Sequence, residues 1–235
     1  MKNFIKKSIW GYNFFDLILV VAGLASVIIT SIVFGSSWLI IVNSILGIFC
    51  VFTQAKGKVA TQFIGVVWFS FYVFLSYQNQ YYGEVLINLL ILIPLYIYGI
   101  IHWLAHRDKT ENVVIVRNNL SKKEWIIAGL AWLFVSVGIY FLLEALNTSQ
   151  VFVSTIAFDT MLASVYLLVR RVKWNQVSFL VNDFITPILW LVLVLNGNAL
   201  FIPLIVYHIF QAIYDAYGLY VWTKLEKEQK AKGIK

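Results

Sequence analysis

Residues 84–104 of the chain read EVLINLLILIPLYIYGIIHWL, and this stretch decides the fold. After Glu84 it carries no Lys, Arg, Asp or Glu as far as Leu104. A helix needs about 20 apolar residues to cross roughly 30 Å of hydrocarbon, and the stretch has that length. Its hydrophobic residues do not alternate with polar ones, as they would in the strands of a membrane barrel. The stretch therefore predicts a membrane-spanning helix.

Seven more stretches of this kind predict an all-α polytopic membrane protein with eight transmembrane helices. The 235 residues are 61% hydrophobic and 12% charged, whereas a soluble domain carries about 25% charged residues. The mean hydropathy is +0.82. This composition excludes soluble enzymes, nucleic-acid binders, disordered proteins and secreted disulfide scaffolds, and the single cysteine cannot form an internal disulfide. The predicted segments are 17–34, 38–54, 59–77, 84–104, 123–146, 152–170, 175–195 and 199–222.

The positions of the basic residues predict the orientation of the chain. All 18 Lys and Arg residues fall in the two tails and in every second loop. Because basic loops stay in the cytoplasm, we expect both termini to be cytoplasmic, in the inner or plasma membrane of a bacterial cell. The alternation makes the first segment a retained span rather than a signal peptide, and it explains the net charge of +7 without nucleic acid. The basic stretches are residues 2–7, 56–58, 107–123, 170–173 and 224–235.

A short motif predicts an internal repeat. Segments 4 and 8 both end in Tyr-Gly-x-x-x-Trp, at Trp103 and at Trp222, 119 residues apart. Asn43 in segment 2 matches Asp159 in segment 6 at an offset of 116 residues. Segments 2–4 and 6–8 then form two parallel three-helix units, a symmetry known in transporters. The predicted units are a tail with an extra span (1–36), the first repeat (37–104), a loop with a linker helix (105–146), the second repeat (147–222) and a basic cytoplasmic tail (223–235).

Polar residues within the spans mark the predicted solute site. A central Asp costs about 2.5–3.5 kcal/mol on insertion scales, so such residues usually face a cavity or a partner. In segment 8, Tyr207, Gln211 and Asp215 follow one another at intervals of four and share one helical face. The residues predicted to bind a solute at the midplane, between the two three-helix units, are Trp68, Asn88, Asn175, Ser178, Asn182, Asp183, Trp190, Tyr207, Gln211 and Asp215.

Structural roles are the alternative for several polar and aromatic residues. Small and amide residues also hold membrane helices together, which leaves Ser178 open between the two roles. A lone histidine such as His208 is more often a hydrogen-bonded structural residue than a proton relay. Tryptophans at the ends of spans are typical of the interfacial belt. Those expected in the belt are Trp38, Trp103, Trp125 and Trp222.

The intramembrane carboxylates and the missing motifs limit the chemistry. Asp159, Asp183 and Asp215 are expected to be functional or paired, and the sequence leaves open which of them is charged. The chain has no phosphate-binding loop, no cluster with metal-ligand spacing and no Ser-His-Asp arrangement. We therefore predict no catalytic residue, no metal, no cofactor and no enzymatic activity.

Two stretches resemble the PnuC-type family of nicotinamide riboside and vitamin transporters. They are residues 54–60 (QAKGKVA) and 82–88 (YGEVLIN), and Pro94 and the Tyr-Gly-x-x-x-Trp ending fit as well. The resemblance implies a three-plus-one-plus-three helical design, similar to that of sugar transporters, with an extra amino-terminal span. It also implies facilitated diffusion of a nucleoside-like solute, which a cytosolic kinase would trap by phosphorylation.

The predicted solute depends on one motif where this sequence differs from the family. In the family signature Trp-x-x-Trp-x-x-x-Asn, Asn175 and Ser178 replace the two tryptophans and Asn182 keeps the final amide. Trp174 lies one residue from the first position. Indoles attract a cationic pyridinium ring by about 0.5–2 kcal/mol each, so their loss favours a neutral solute. We predict a nucleoside, in particular a deoxyribonucleoside. The alternatives are nicotinamide riboside, thiamine or riboflavin, and, from another class, a substrate-binding subunit of a separate ATPase. Besides the solute and membrane lipid, no nucleic acid is expected as a partner, and homo-oligomers are left open.

Overall fold

The segments predicted from hydropathy are helices in the structure. The computed structural model describes residues 13–79, 81–109, 112–148 and 150–234. Within these residues, eight helical stretches are long and apolar enough to cross a membrane, which confirms the predicted number of spans. The elements are α1 (Phe14–Val33), α2 (Trp38–Ala55), α3 (Ala60–Gln78), α4 (Tyr82–Ile87), a π-helical turn (Asn88–Leu92), α5 (Ile93–Ala105), β1 (Arg107–Asp108), β2 (Val113–Val114), α6 (Lys122–Ala145), α7 (Val151–Val169), α8 (Asn175–Leu195), a 3-10 turn (Ala199–Phe201) and α9 (Ile202–Ala231).

A buried ion pair holds the first span to the bundle. Asn13 caps α1 and forms a capping box with Asp16. The Asp16 carboxylate lies 2.7 Å from Lys56 Nζ, and the same ammonium donates to the Tyr217 hydroxyl at 2.9 Å. Helix α1 therefore docks on the α2–α3 loop and on α9. The basic residues of the stretch 2–7 lie outside the described residues.

Helices α2 and α6 mark the centre and the periphery of the bundle. In the most apolar part of α2, 61% of the residues are buried, whereas the share in α6 is 11%. Helix α6 is apolar on all sides, as expected for a helix that faces lipid. It is fastened to α7 by Trp132, which donates to the Asp159 carbonyl at 3.1 Å, and by Ser136, which donates to the Asp159 carboxylate at 2.6 Å. Asp159 is thus paired with the linker helix.

The basic loops form an ordered layer at one end of the bundle. Strands β1 and β2 pair in an antiparallel manner within the α5–α6 connection. This connection forms a bridge from Val113 to Lys58 in the α2–α3 loop and another from Arg117 to Val172 in the α7–α8 loop. The layer is called the basic end below and consists of residues 56–58, 107–109, 112–123 and 170–173.

The α2–α3 loop and the α7–α8 loop have matching backbone hydrogen bonds, 114 residues apart. Gly57 N donates to Gln54 O at 2.9 Å, and Arg171 N donates to Leu168 O at 2.9 Å. The following backbone N–H groups bond in the same way in both loops. Gly57 and Arg171 both have a left-handed backbone, with φ of 62° and 63°. The two loops therefore have the same local fold, although one has a glycine and the other an arginine at the left-handed position.

Two tryptophans expected in the interfacial belt are fully buried, so that prediction is wrong for them. Trp103 Nε1 donates to Leu168 O at 3.1 Å, which ties the end of α5 to the end of α7. Trp222 Nε1 donates to Gln54 O at 2.9 Å, which ties α9 to the end of α2. Each indole gives a second hydrogen bond to a carbonyl in the last turn of a helix, which already accepts from the left-handed residue of the loop. The other two tryptophans predicted for the belt are exposed, as expected.

Helix α9 continues beyond the predicted end of its span, as far as Ala231. Glu226 lies 2.7 Å from Lys230, one turn further on, and such pairs support an exposed helix. Glu226 also lies 2.9 Å from Lys173 in the α7–α8 loop. The stretch predicted as a basic tail is therefore mostly helical and packs on the basic end.

Candidate solute-binding cavity

A cavity of about 40 Å³ lies inside the bundle, among α2, α3, α4, the π-helical turn, α7, α8 and α9. A cavity needs about 10–15 Å³ of such space to hold one water molecule, so this one has room for a few waters and is far smaller than a nucleoside. The walls combine large aromatic rings with polar side chains. The conformation is therefore a closed one, in which side chains fill the space that a solute needs.

Aromatic rings form most of the cavity wall. Trp68 of α3 meets Tyr207 of α9 edge to face, with ring centroids 6.0 Å apart. Tyr72, one turn after Trp68, meets Trp190 of α8 at 6.1 Å, also edge to face. The Tyr207 ring reaches the wall across Gly47 of α2, where a Cβ atom would lie 2.4 Å from the ring. The absence of a side chain at Gly47 therefore lets α9 place this ring in the centre of the bundle.

Several polar atoms at the cavity have no hydrogen-bond partner among the described residues. Buried polar groups are normally satisfied, so each exception needs an explanation. Five such atoms line this one small space and include both donors and acceptors, which is the arrangement expected of a site for a polar solute. The unpaired atoms are Asn43 Oδ1, Trp68 Nε1, Asn88 Oδ1, Trp190 Nε1 and the Tyr207 hydroxyl.

A carboxylate and an irregular helical turn form one side of the cavity. Glu84 of α4 lines it together with Asn88. Asn88 Nδ2 donates to the Glu84 carbonyl at 2.6 Å and contacts the carboxylate at 3.4 Å. Asn88 also begins the π-helical turn, and Pro94 follows that turn. Because Pro94 has no N–H to donate, the helix cannot keep its regular hydrogen bonds at this point. Such turns are frequent at functional sites.

A chain of polar side chains leads from the cavity toward the basic end. His208 lines the cavity, and its Nδ1 lies 3.3 Å from Asp183 Oδ1. Asp183 lies close to Asp215, and Asp215 accepts from Gln54 Nε2 at 3.0 Å. The polar chain therefore connects the midplane to the last turn of α2.

The structure divides the ten residues that the sequence predicts as solute-binding. Trp68, Asn88, Trp190 and Tyr207 line the cavity together. Asp183 and Asp215 belong to the polar chain beside it. Gln211 is buried on α9, and its Oε1 has no partner among the residues that the structure describes. The direct contact of these residues with a solute stays a prediction.

The remaining three predicted residues fasten α8 to its neighbours. Asn175 donates to a carbonyl of the α7–α8 loop at 2.6 Å. Ser178 accepts from Ser164 of α7 at 2.9 Å, and Asn182 donates to the Ala157 carbonyl at 2.9 Å. None of the three lines the cavity within the described residues. Ser178 thus makes a hydrogen bond between two helices, the role that the sequence leaves open as the alternative to solute binding.

Sequence reasoning missed several residues of the cavity wall. Glu84 lies in the family-like stretch at the start of a predicted span, and Asn43 matches Asp159 in the predicted repeat; neither is predicted to bind a solute. Tyr72 and Thr186 lay on polar helical faces, and that signal could have identified them. His208 was expected to be structural. All five line the cavity.

Eight membrane spans around a closed cavity with unpaired polar atoms define a multi-pass membrane protein with an internal polar cavity, the candidate solute site. Its family follows from comparison with known proteins. The family model described as nicotinamide mononucleotide transporter matches residues 37–224, and the chain belongs to this family.

Individual relatives agree with this assignment. The nicotinamide riboside transporter PnuC of Neisseria mucosa is 26% identical over 202 residues, which are 83% of this chain and 76% of the relative. The protein of the same name from Haemophilus influenzae is 23% identical over 195 residues, 81% of each chain. The crystal structure of the vitamin B3 transporter PnuC matches with a TM-score of 0.77 and 24% identity, over 93% of this chain and 94% of the other. At that identity the match shows the fold.

These findings confirm the resemblance to PnuC-type proteins, and the protein is a membrane transporter whose relatives are not enzymes. They do not support a deoxyribonucleoside as solute or trapping by phosphorylation, and they agree better with the alternative prediction. The physical reason lies in α8. Asn175 and Ser178 bond to the α7–α8 loop and to α7, away from the cavity. The missing tryptophans at these positions are therefore not, by themselves, evidence for a neutral solute.

Proposed function

We propose that this protein carries nicotinamide riboside across the membrane by facilitated diffusion. The observation that carries the proposal is the pairing of aromatic walls with the Glu84 carboxylate around one cavity. The pyridinium ring of nicotinamide riboside is a cation. Aromatic faces attract such a cation by about 0.5–2 kcal/mol each, and a nearby carboxylate adds direct attraction. A neutral nucleoside would gain neither.

The unpaired polar atoms supply partners for the rest of the solute. Asn43 Oδ1 and Asn88 Oδ1 can accept from ribose hydroxyls, whereas Trp68 Nε1 and Trp190 Nε1 can donate. An unpaired buried group costs about 1–3 kcal/mol, so a solute that bonds to several of them recovers that free energy. This arrangement supports a solute with several hydroxyl and amide groups.

Transport requires the closed cavity to open on each side in turn. The helical parts for this motion are two three-helix repeats, α2 to α5 and α7 to α9, joined by α6. The matching hydrogen bonds of the two loops and the reciprocal bonds of Trp103 and Trp222 support this repeat. The π-helical turn at Asn88 is the hinge that we assign to the first repeat, because it lies at the cavity and lacks regular hydrogen bonds.

The orientation follows from charge in the same proposal. All Lys and Arg residues fall in the tails and in alternate loops, and basic loops stay in the cytoplasm. Both termini and the basic end then lie on the cytoplasmic side of the bacterial cell membrane. A cysteine at Lys173 should not react with an impermeant thiol reagent from outside, whereas one at Asn198 should.

The proposal is tested by uptake into liposomes that contain only the purified protein. We expect saturable uptake of labelled nicotinamide riboside without ATP, competition by the unlabelled compound and none by thymidine. Glu84→Gln should weaken binding about tenfold or more in calorimetry, since bonds to charged groups contribute about 1.5–3 kcal/mol. Glu144→Gln, an exposed glutamate on α6, is the matched control and should bind as the wild type does. Uptake that appears only with an added ATPase would identify a binding subunit, and a preference for thymidine would overturn the proposed solute.

A further inference from the structure

A second and larger cavity lies on the outside of the bundle, between α5, α6 and α7. Its volume is about 780 Å³, within the roughly 300–1,000 Å³ of ordinary ligand pockets. The walls are almost entirely apolar and include Pro94, Leu95, Val135 and Leu162. It has no polar cluster like that of the central cavity, so its occupant along most of its length must be hydrocarbon.

The depth of this crevice matches one leaflet of a bilayer. It extends along α6 from Trp125 to Val135, and ten steps along the helix rise about 15 Å at 1.5 Å per residue. The hydrocarbon core of a bilayer is about 30 Å thick. The crevice therefore begins at the basic end and reaches the middle of the membrane. Trp125, which is 43% exposed, lies at its mouth, where tryptophans of the interfacial belt are found.

The mouth of the crevice lies beside three arginines of the basic end, called the arginine cluster: Arg117, Arg170 and Arg171. Arg170 follows the crevice residue Tyr166 by one helical turn. Glu124, next to Trp125, accepts from Arg117 at 2.5 and 3.0 Å and is also paired with Arg170. Two of the three arginines thus share the Glu124 carboxylate, so these four side chains together carry an excess of positive charge.

The arginine cluster keeps unused hydrogen-bond donors. The Nε atoms of Arg170 and Arg171 are buried and have no partner within the part of the chain that the structure describes. Arg171 uses another nitrogen to donate to the Ile115 carbonyl at 2.9 Å. Burial, with the charges of Arg117 and Arg170, lowers the pKa of Arg171 to about 10. A nearby anion would relieve this repulsion.

The backbone of Arg171 is a further sign of a functional position. Its φ of 63° is left-handed, and the matching position of the α2–α3 loop is Gly57 with φ of 62°. A residue with a side chain is strained in this conformation. Strained residues of this kind cluster at ligand-binding sites. At Arg171 a charged side chain occupies a position where glycine would avoid the strain.

We propose that the crevice and the arginine cluster form one binding site for an anionic phospholipid of the membrane leaflet at the basic end. An acyl chain lies along α6 in the crevice, and the phosphate accepts from Arg170 and Arg171. Arginine suits phosphate because its planar group donates in pairs, and basic pockets between membrane helices bind anionic headgroups. The proposal is independent of the solute that the central cavity binds.

The test compares lipids and matched variants of the full chain in detergent. Native mass spectrometry and thermal unfolding are measured with added phosphatidylglycerol, phosphatidylcholine or inorganic phosphate. We expect phosphatidylglycerol to bind about tenfold more tightly than phosphatidylcholine and to raise the Tm more, because charge-assisted bonds are the stronger ones. Inorganic phosphate should give no shift. Equal binding of the two lipids, or a shift with phosphate alone, would overturn the proposal.

Two pairs of variants locate the site. Gly129→Phe fills the crevice, whereas Gly138→Phe adds the same ring on the same helix outside it; a Cβ atom at either glycine meets open space. Arg171→Gly removes a charge and suits the left-handed backbone, whereas Lys227→Gln removes an exposed charge from α9. The first member of each pair should lose the preference for phosphatidylglycerol, and the second should keep it. If both members of a pair lose this preference, or neither does, the proposed site is wrong. It is also wrong if the protein forms a dimer without added lipid and Gly129→Phe abolishes that dimer, because the crevice would then bind a second copy of the chain.

Discussion

The α2–α3 loop and the α7–α8 loop share one backbone but place their basic residues in different surroundings. Lys56 in the first loop and Arg170 in the second are equivalent, 114 residues apart in the matching hydrogen-bond pattern. Lys56 pairs with Asp16 of α1, with side chains 9% and 0% exposed. Arg170 pairs with Glu124 of α6, with both side chains 25% exposed. The extra span and the linker helix are thus attached to equivalent loops by the same kind of contact, one dry and one partly hydrated.

This difference in hydration should determine the strength of each attachment. Attraction between unit charges grows as water is excluded, but an unpaired charge in a dry site also becomes more costly. The first loop has its charge compensated inside the protein. The second loop has an excess of positive charge near the membrane surface, which is available to an anionic lipid.

The largest effect is expected for Asp16→Asn. The change leaves the Lys56 ammonium buried without its counter-charge, and breaking a buried pair in this way costs about 3–5 kcal/mol. Thermal unfolding of the protein in detergent measures it. In the double variant with Lys56→Met the uncompensated charge is gone, so most of the lost stability should return. If the double variant is as unstable as the single one, the charge is not the cause.

A smaller effect is expected for Glu124→Gln. The carboxylate caps α6 and pairs with Arg117 and Arg170, but partly hydrated pairs contribute only about 1 kcal/mol or less. The loss should shrink at 1 M salt, where charges are screened within about 3 Å, whereas the Asp16→Asn loss should not. Glu228→Gln, at an exposed pair, is the control. A salt-independent loss would show that Glu124 is held as firmly as Asp16.

The smallest effect concerns the left-handed position of each loop. Gly57→Ala should cost about 1 kcal/mol, because only glycine adopts this backbone without strain. Arg171→Gly relieves the same strain but loses the bond to the Ile115 carbonyl, so the two changes should nearly cancel, within about 0.5 kcal/mol. The same unfolding assay compares them. If both variants lose the same free energy of unfolding, Arg171→Gly has relieved no strain. The backbone strain would then differ between the two loops.

Local properties of the sequence predicted the membrane helices and the family of this protein. Length and hydropathy of stretches such as 84–104 specify membrane helices, because each helix satisfies its own backbone in lipid. The quoted stretches 54–60 and 82–88 were sufficient to indicate the family. The unexpected ending of α9 at Ala231 also has a local cause, since its charged pairs are visible at helical spacing.

The composition of the cavity was decided by tertiary packing. In a soluble helix the polar face points to water, but a membrane helix is apolar on the lipid side and often on the inner side too. Hydropathy therefore does not predict which face of a membrane helix points to the cavity. Asn175 and Ser178 form hydrogen bonds with the α7–α8 loop and with α7, whereas Glu84 lines the cavity.

The sequence by itself thus determined the spans, the placement of charge and the family. The partners of Trp103 and Trp222, the closure of the cavity around Tyr207 and the excess charge beside α6 were decided only in the tertiary structure. These features depend on residues about 65 to 170 positions apart in the chain, and the contacts between them exist only after the helices pack.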